Sequence, residues 1–357
     1  MTQHELTLLN LGNSLDDLAN LDPRGYGVCK LLYKASKKYT GRPLCVNGAE
    51  KLAEAIKEND LVYIMTGFIL LPSEKPETDG SVGSVLLARA LVKAFGAKPV
   101  IICPEECIAA VKSISACIGL DFYDTVARAS AQPSSVCALP FTKDKAAAAD
   151  CADKILAQGI PKAVISIECP GENAKGIYHN SNGIDITAHE AKQDILFEKL
   201  RNMGILNISI GDLGNEIGMG AIGEYIKENI PYAGKDSCGC GCGGGITVRT
   251  AADNIITATT SDWGCYSMIA MLAYMLKNPD IMHDSELEEQ ALIAASRSGL
   301  VDMSGQCIPA IDGFGLKINC SLITLMKELT ASALRLSEEF KPRFDKIIEL
   351  NSFNRET

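Results

Sequence analysis

Hydrophobic positions along the chain follow two different periods. Short apolar runs bounded by turn residues read as buried strands: LVYIMTGF at 61–68, KPVIICP at 98–104, AVISIE at 163–168 and ILNISIGD at 205–212. A further strand is expected within TVRTAADNIITATT at 247–260. Between them lie stretches with apolar residues at helical spacing. One spans 81–95 and is closed by Gly96; another spans 143–158 and is closed by Gly159 and Pro161. Thr187-Ala-His-Glu190 has the form of a capping box opening a helix to 203, which Gly204 stops. Helices are also expected over 264–276, 285–298 and 319–340, the last on Leu322, Leu325, Leu329 and Leu336. Residues 1–60 carry helical spacing only: Leu6, Leu8, Leu9 and Leu15, then 28–38, then Asn47-Gly-Ala-Glu50, again in capping-box form. The pattern predicts an α/β fold: a largely parallel or mixed sheet, helices on both faces and a helical N-terminal segment. One domain across 1–357, in one or two lobes, is expected, with a disordered polar tail at 351–357.

Composition narrows the function classes. The chain is 47% hydrophobic and 22% charged, as an ordinary globular protein is. A formal charge of −10 argues against nonspecific binding to nucleic acid or anionic membrane. No apolar run approaches the roughly 20 residues that span a bilayer. The opening MTQHELTLLNLGNSLDD lacks a basic region followed by an apolar stretch, so a cytoplasmic location is expected. Fourteen cysteines in a long, non-secretory chain read as buried small hydrophobes, Cys103 and Cys117 among them, rather than as a disulfide framework.

Ligands of open α/β sheets bind beyond the carboxyl ends of strands, and three such ends here carry acids and glycines. Glu77 and Asp79 stand in PETDG at a helix start, where backbone N–H groups bind anions and Gly80 and Gly83 allow close approach. Asp79 could equally serve only as a helix cap. Asp212, Gly214, Asn215 and Glu216 occur in GDLGNEIGMG, which is no dinucleotide fingerprint, so a nicotinamide cofactor is not expected. Glu168 ends a strand, and Glu172, Asn173, Tyr178, His179 and Asp185 crowd the loop after it. Cys238, Cys240 and Cys242 alternate with glycines; single-residue spacing is tighter than structural zinc sites use, which favours a flexible loop over a metal. Trp263, the only tryptophan, follows an apolar run in SDWG, with core packing as the alternative to a site role.

Taken in order, LDPRG (21–25), TGF (66–68), ETDG (77–80), GIYHNSNGIDI (176–186), GDLGNEIGMG (211–220), SDWG (261–264) and DG (312–313) resemble the D-glutamate cyclase family, including the C-terminal domain of its mitochondrial members. The resemblance runs over about 21–330. It implies conversion of D-glutamate to 5-oxo-D-proline with loss of water. The chain departs from the family in three places: Asp262 replaces the usual asparagine, Cys320 replaces a histidine, and Asp302-Met303 replaces a DG.

That reaction needs one group to hold the amine neutral and another to protonate the departing oxygen, roles that paired acids in different environments can divide. Glu77, Asp79, Asp212 and Glu216 are the expected acid/base groups. Gly80, Asn173, His179, Gly214, Asn215 and Trp263 are the expected substrate-binding residues, Asn215 orienting the substrate. The same four carboxylates, without histidine, would also suit Mg²⁺ or Mn²⁺, and two such ions could drive phosphate-ester hydrolysis instead. A non-catalytic sensor of small acids is the third reading. In each case the partner is a small acidic molecule, and a homodimer is compatible with all three.

Overall fold

The computed structural model describes residues 2–235, 237–339 and 341–350, the side chains of 337–344 excepted; the tail 351–357 lies outside them. Seven strands form the central sheet: β1 (Leu61–Thr66), β4 (Lys98–Cys103), β5 (Asp121–Tyr123), β6 (Ser135–Pro140), β7 (Ala163–Ile167), β8 (Leu206–Gly211) and β9 (Asn254–Thr257). Their order is β5-β6-β4-β1-β7-β8-β9, and every neighbouring pair is parallel. Two short antiparallel ladders lie outside it: β2 (Ile69–Leu70) with β3 (Lys75–Pro76), and β10 (Ala310–Ile311) with β11 (Phe314–Gly315).

The strands are apolar without interruption because both sheet faces are covered. In β1, Val62 and Ile64 enter one core while Tyr63 and Met65 enter the other. The first core is closed by α1 (Gln3–Ala19), α3 (Leu44–Ala55), α4 (Ser81–Phe95), α5 (Ile108–Cys117), α10 (Ser261–Met275), α11 (Ser285–Arg297) and α12 (Leu316–Glu339). The second is closed by α2 (Val28–Thr40), α6 (Val126–Ser130), α7 (Ala148–Leu156), α8 (Gln193–Asn202) and α9 (Gly223–Asn229). A last helix, α13 (Lys341–Leu350), follows α12. From β1 the sheet grows one way through β4, and the chain later returns to lay β7 along the opposite side of β1. The crevice at the carboxyl ends of β1 and β7 is therefore a topological switch point, the expected place for a ligand.

Two helix starts at that end hold each other. Asp79 Oδ2 accepts from the Ser261 N–H at 2.9 Å, and Asp79 Oδ1 from the Asp262 N–H at 2.9 Å, capping α10. Asp262 Oδ1 accepts from the Gly83 N–H of α4 at 2.8 Å. The approach is so close that a Cβ on Gly83 would lie 2.4 Å from Asp262 Oδ1 and 3.2 Å from its Cα.

Several helix boundaries differ from the sequence expectation, because their caps come from distant residues. Asn47–Glu50 does not open a helix; it lies inside α3, whose start is capped by Asp16 of α1 through the Leu44 and Cys45 N–H groups at 2.7 and 3.1 Å. Thr187–Glu190 does not cap α8, which begins at Gln193. There Thr187 Oγ1 accepts from the Tyr178 N–H and Glu190 Oε1 from the Ile69 N–H. Helix α7 starts at Ala148 rather than 143, and Lys143 instead pairs with Glu106. Helix α10 starts at Ser261, so Trp263 sits in its first turn. Between 105 and 140, α5, β5, α6 and β6 have no counterpart in the hydrophobic pattern as read above. On α12, Leu322 is buried but Leu325 is exposed; Ile323 and Met326 fill the core instead. Cys103 is buried as expected, whereas Cys117 is exposed. Among the described residues no helix is long and apolar enough to cross a membrane.

The contact at Gly83 gives a stability test. Gly83→Ala should cost about 1–3 kcal/mol, the usual range for overpacking, because the Asp262 backbone cannot retreat without breaking its bond to Asp79. Gly315→Ala, which meets nothing within 4 Å, is the control. Urea unfolding should show a lower midpoint for the first and a near-wild-type midpoint for the second.

Candidate active site

A cavity of about 570 Å³ opens at the switch point. Glu77, directly after β3, Glu168, directly after β7, and Asp212, directly after β8, all face it. Asn215, Arg24, Asp312 and Asn180 are among the other polar residues of its wall, while Phe68, Ile69 and Tyr232 are among its apolar residues. The acidic loops thus converge, as expected from three strand ends of one kind.

The carboxyls fall into two sets. Asp79 and Glu216 spend their oxygens on backbone. Asp79 accepts from Gly80, Ser261 and Asp262, and Glu216 accepts from the N–H groups of Asp212, Leu213 and Gly214 at 3.1, 2.8 and 2.8 Å. Neither lines the cavity. Asp212 is the opposite: it is 2% exposed, and neither of its carboxyl oxygens has a hydrogen-bond partner. Glu168 accepts from the Ser261 hydroxyl at 2.5 Å, from a backbone held at φ +50°. It needs Gly80 beside it, since a Cβ there would lie 2.4 Å from the Glu168 Cβ. Gly80 therefore serves packing, and Gly214, at φ +93°, gives its N–H to Glu216.

One cation faces this group. Arg24 bonds Asp312 Oδ2 at 2.8 Å and the Thr259 carbonyl at 2.6 Å, and lies 3.9 Å from Asp212. Its guanidinium is 5.2 Å from the Phe314 ring centre, and Phe314 stacks on Trp263 at 4.8 Å. Trp263 is buried and donates to Asn319, so it acts on the cavity through Phe314 and Arg24 rather than by touching a ligand. Asn215 lines the cavity as expected; its amide donates to the His179 carbonyl at 3.0 Å, leaving a buried, unpartnered Oδ1. Asn173 and His179 lie outside the cavity: Asn173 bonds the Gly245 carbonyl, and the His179 ring faces Cys240 and Cys242. Arg24 and Asp312 were not among the expected site residues, although LDPRG and DG were noted as motifs; Glu168 was noted as the acid that ends its strand but was given no role.

A family model described as D-glutamate cyclase-like, C-terminal, matches residues 15–327. The chain belongs to the D-glutamate cyclase-like C-terminal family. It is 25% identical over 267 residues to the human protein named D-glutamate cyclase, mitochondrial, a match covering 72% of this chain and 38% of that protein. The chain thus spans well under half the length of that relative.

Asp262 is an acid buried against another acid. Burial, then the neighbouring Asp79 and Glu288 charges, push the Asp262 carboxyl well above its usual pKa. Held neutral, it accepts from Gly83 as an asparagine carbonyl would. Burial likewise raises Glu77, Glu168 and Asp212 well above the usual carboxylate range, with other acids of the cluster adding to it. Asp79 is pushed up to about 7 by burial and by Asp312, against three backbone N–H bonds. Glu190, buried behind β2, reaches about 8.

These shifts fix the sign of the pH dependence. Each folded-state pKa lies above the unfolded value of about 4. The folded chain therefore keeps protons that the unfolded chain has released, and stability falls as pH rises. The contribution is complete below about pH 4 and is lost through about 7 for Asp79 and 8 for Glu190. The melting temperature in chelator should decline steadily from pH 5 to 8.5, and Asp262→Asn should make the decline shallower. A flat or rising profile would show that these acids are ionised in the fold.

Proposed function

We propose that the cavity is the active site of a lyase that closes D-glutamate to 5-oxo-D-proline with release of water. The observation that carries this reading is the set of buried carboxyls, Glu77, Glu168 and Asp212, around one small cavity in a chain of this family. In the reaction the α-nitrogen, entering as ammonium, loses two protons as it bonds to the side-chain carboxyl carbon, and one oxygen of that carboxylate gains two protons and departs as water. One wall carboxyl must be ionised to take a proton from nitrogen and one neutral to give a proton to oxygen. Crowded acids that cannot all ionise supply both states side by side. Asp212, whose oxygens accept no hydrogen bond from the protein, is assigned to proton transfer, with Glu77 or Glu168 as its counterpart. The free Oδ1 of Asn215 accepts from the substrate amine and turns its lone pair toward the carboxyl carbon. Asp79 and Glu216 are positioning residues: the first fixes the helix starts, the second the loop that carries Asp212.

A substrate with two carboxylates meets a wall of acids where Arg24 is the one cationic lining residue among the described residues. One carboxylate oxygen from each of Asp79, Asp212 and Asp312 lies within 4.8 Å of the other two, a donor set suited to a hard cation such as Mg²⁺ or Mn²⁺. Bound there, such an ion would supply positive charge against the substrate carboxylates. The same triad favours a second reading, metal-dependent phosphate-ester hydrolysis.

Asp212→Asn should lower 5-oxoproline formation from D-glutamate by roughly 10²–10⁴-fold, with a melting temperature close to wild type. L-Glutamate is the control substrate, and Mg²⁺ and Mn²⁺ are each added and withheld. A near-wild-type rate in the variant removes Asp212 from the chemistry. Wild-type protein inert on D-glutamate with either ion, but active on a generic phosphomonoester, would establish the hydrolase reading.

A further inference from the structure

The loop after α9 and the loop after β7 meet beside the cavity, and cysteine and histidine side chains converge where they touch. Cys238, Cys240 and Cys242 lie only one residue apart, so a straight chain would splay them. Glycines at positive φ reverse the chain instead: Gly241 at +71°, Gly243 at +73° and Gly245 at +63°. The Cys238 Sγ comes within 3.5 Å of both the Cys240 Sγ and the Cys242 Sγ. The fourth group comes from far away in sequence. His179 Nε2 lies 3.1 Å from Cys240 Sγ and 3.8 Å from Cys242 Sγ, and all four atoms are within 4.8 Å of one another.

We propose that His179, Cys238, Cys240 and Cys242 bind one zinc ion that ties the cavity rim together. Zn–S bonds of about 2.3 Å and Zn–N bonds of about 2.0–2.1 Å in a tetrahedron put sulfurs about 3.8 Å apart and sulfur about 3.6 Å from nitrogen. The observed edges lie close to these values. Bonded sulfurs would be about 2.05 Å apart, so the spacing is not that of a disulfide. Three thiolates and an imidazole, with no carboxylate, select a soft or borderline ion over Mg²⁺ or Mn²⁺. Four cysteines usually hold an iron–sulfur cluster, and one metal with four close ligands fits this set better. The sulfur of Cys242 also accepts from the Gly244 N–H at 3.3 Å and from Asn173 Nδ2 at 3.5 Å, bonds that steady a thiolate. Asn173, whose carbonyl oxygen orders the Lys175 and Ile177 N–H groups, thereby belongs to the surroundings of the metal.

The site bears on the cavity through the chain itself. The His179 carbonyl accepts the Asn215 amide, and Asn180 and Tyr232, on the two tied loops, both line the cavity. The ion holds the rim and takes no part in proton transfer, so the proposal stands apart from the lyase reading and is tested without substrate.

Intact protein purified without chelator from zinc-supplemented cells should carry one zinc per chain by plasma mass spectrometry after gel filtration. The double variant Cys240→Ser/Cys242→Ser should retain only traces, while Cys117→Ser/Cys307→Ser, at exposed cysteines elsewhere, keeps it. Should the first variant not fold, Co²⁺ exchange into wild-type protein gives the second readout: sulfur-to-cobalt charge transfer and tetrahedral ligand-field bands. Zinc absent from the wild type and no cobalt–sulfur absorption would overturn the proposal. So would full zinc retention in the folded double variant, or iron in place of zinc.

Discussion

The mutual capping of α4 and α10 is the constraint on which the cavity depends. Each helix start presents unpaired N–H groups and a partial positive charge. Turned toward each other, these ends would leave donors buried without acceptors. Asp79 and Asp262 supply the acceptors and lock the two starts at van der Waals distance across Gly83. The same two positive ends then face the acids gathered beyond the strands. Little else there offsets negative charge, since Arg24 is already engaged with Asp312.

Within that frame the carboxyls divide by what their oxygens touch. Glu216 and Asp79 are saturated by backbone amides and organise the chain. Asp212 keeps both oxygens free, and Glu168 is met by a single hydroxyl. Asp212 accepts no hydrogen bond from the protein, and its nearest cation, Arg24, stands 3.9 Å away. Burial and mutual repulsion raise these wall carboxyls, so their ionisation opposes folding as pH rises. Behind the wall, Trp263, Phe314 and Arg24 form a stack that carries core packing to the cation.

The sheet was legible from sequence because buried parallel strands are continuous apolar runs, and β1, β4, β7 and β8 have them. Asp212 and Glu77 were legible as acids at strand ends. Much of what escaped shares one physical character: a partner distant in sequence. Asp16 caps α3 from another helix, Arg24 meets Asp312 across most of the chain, and His179 joins a cysteine loop that lacks a neighbouring histidine. Glu216 and Asp212 looked equivalent within GDLGNEIGMG; only three amide contacts separate the organiser from the free acid. Strand β6, as long as β1, was missed because SVCALP mixes serine, cysteine and proline with its few large apolar residues.

The way Glu216 folds its own loop has a consequence for recognition. Residues 212–214 direct their N–H groups to a side chain only two to four positions ahead, so the turn closes on itself. Its shape requires no visitor to complete it. A small molecule entering beside Asp212 would meet a surface already ordered, and would lose its own freedom without also having to immobilise the loop. Binding to such a surface is limited by complementarity and desolvation rather than by conformational entropy.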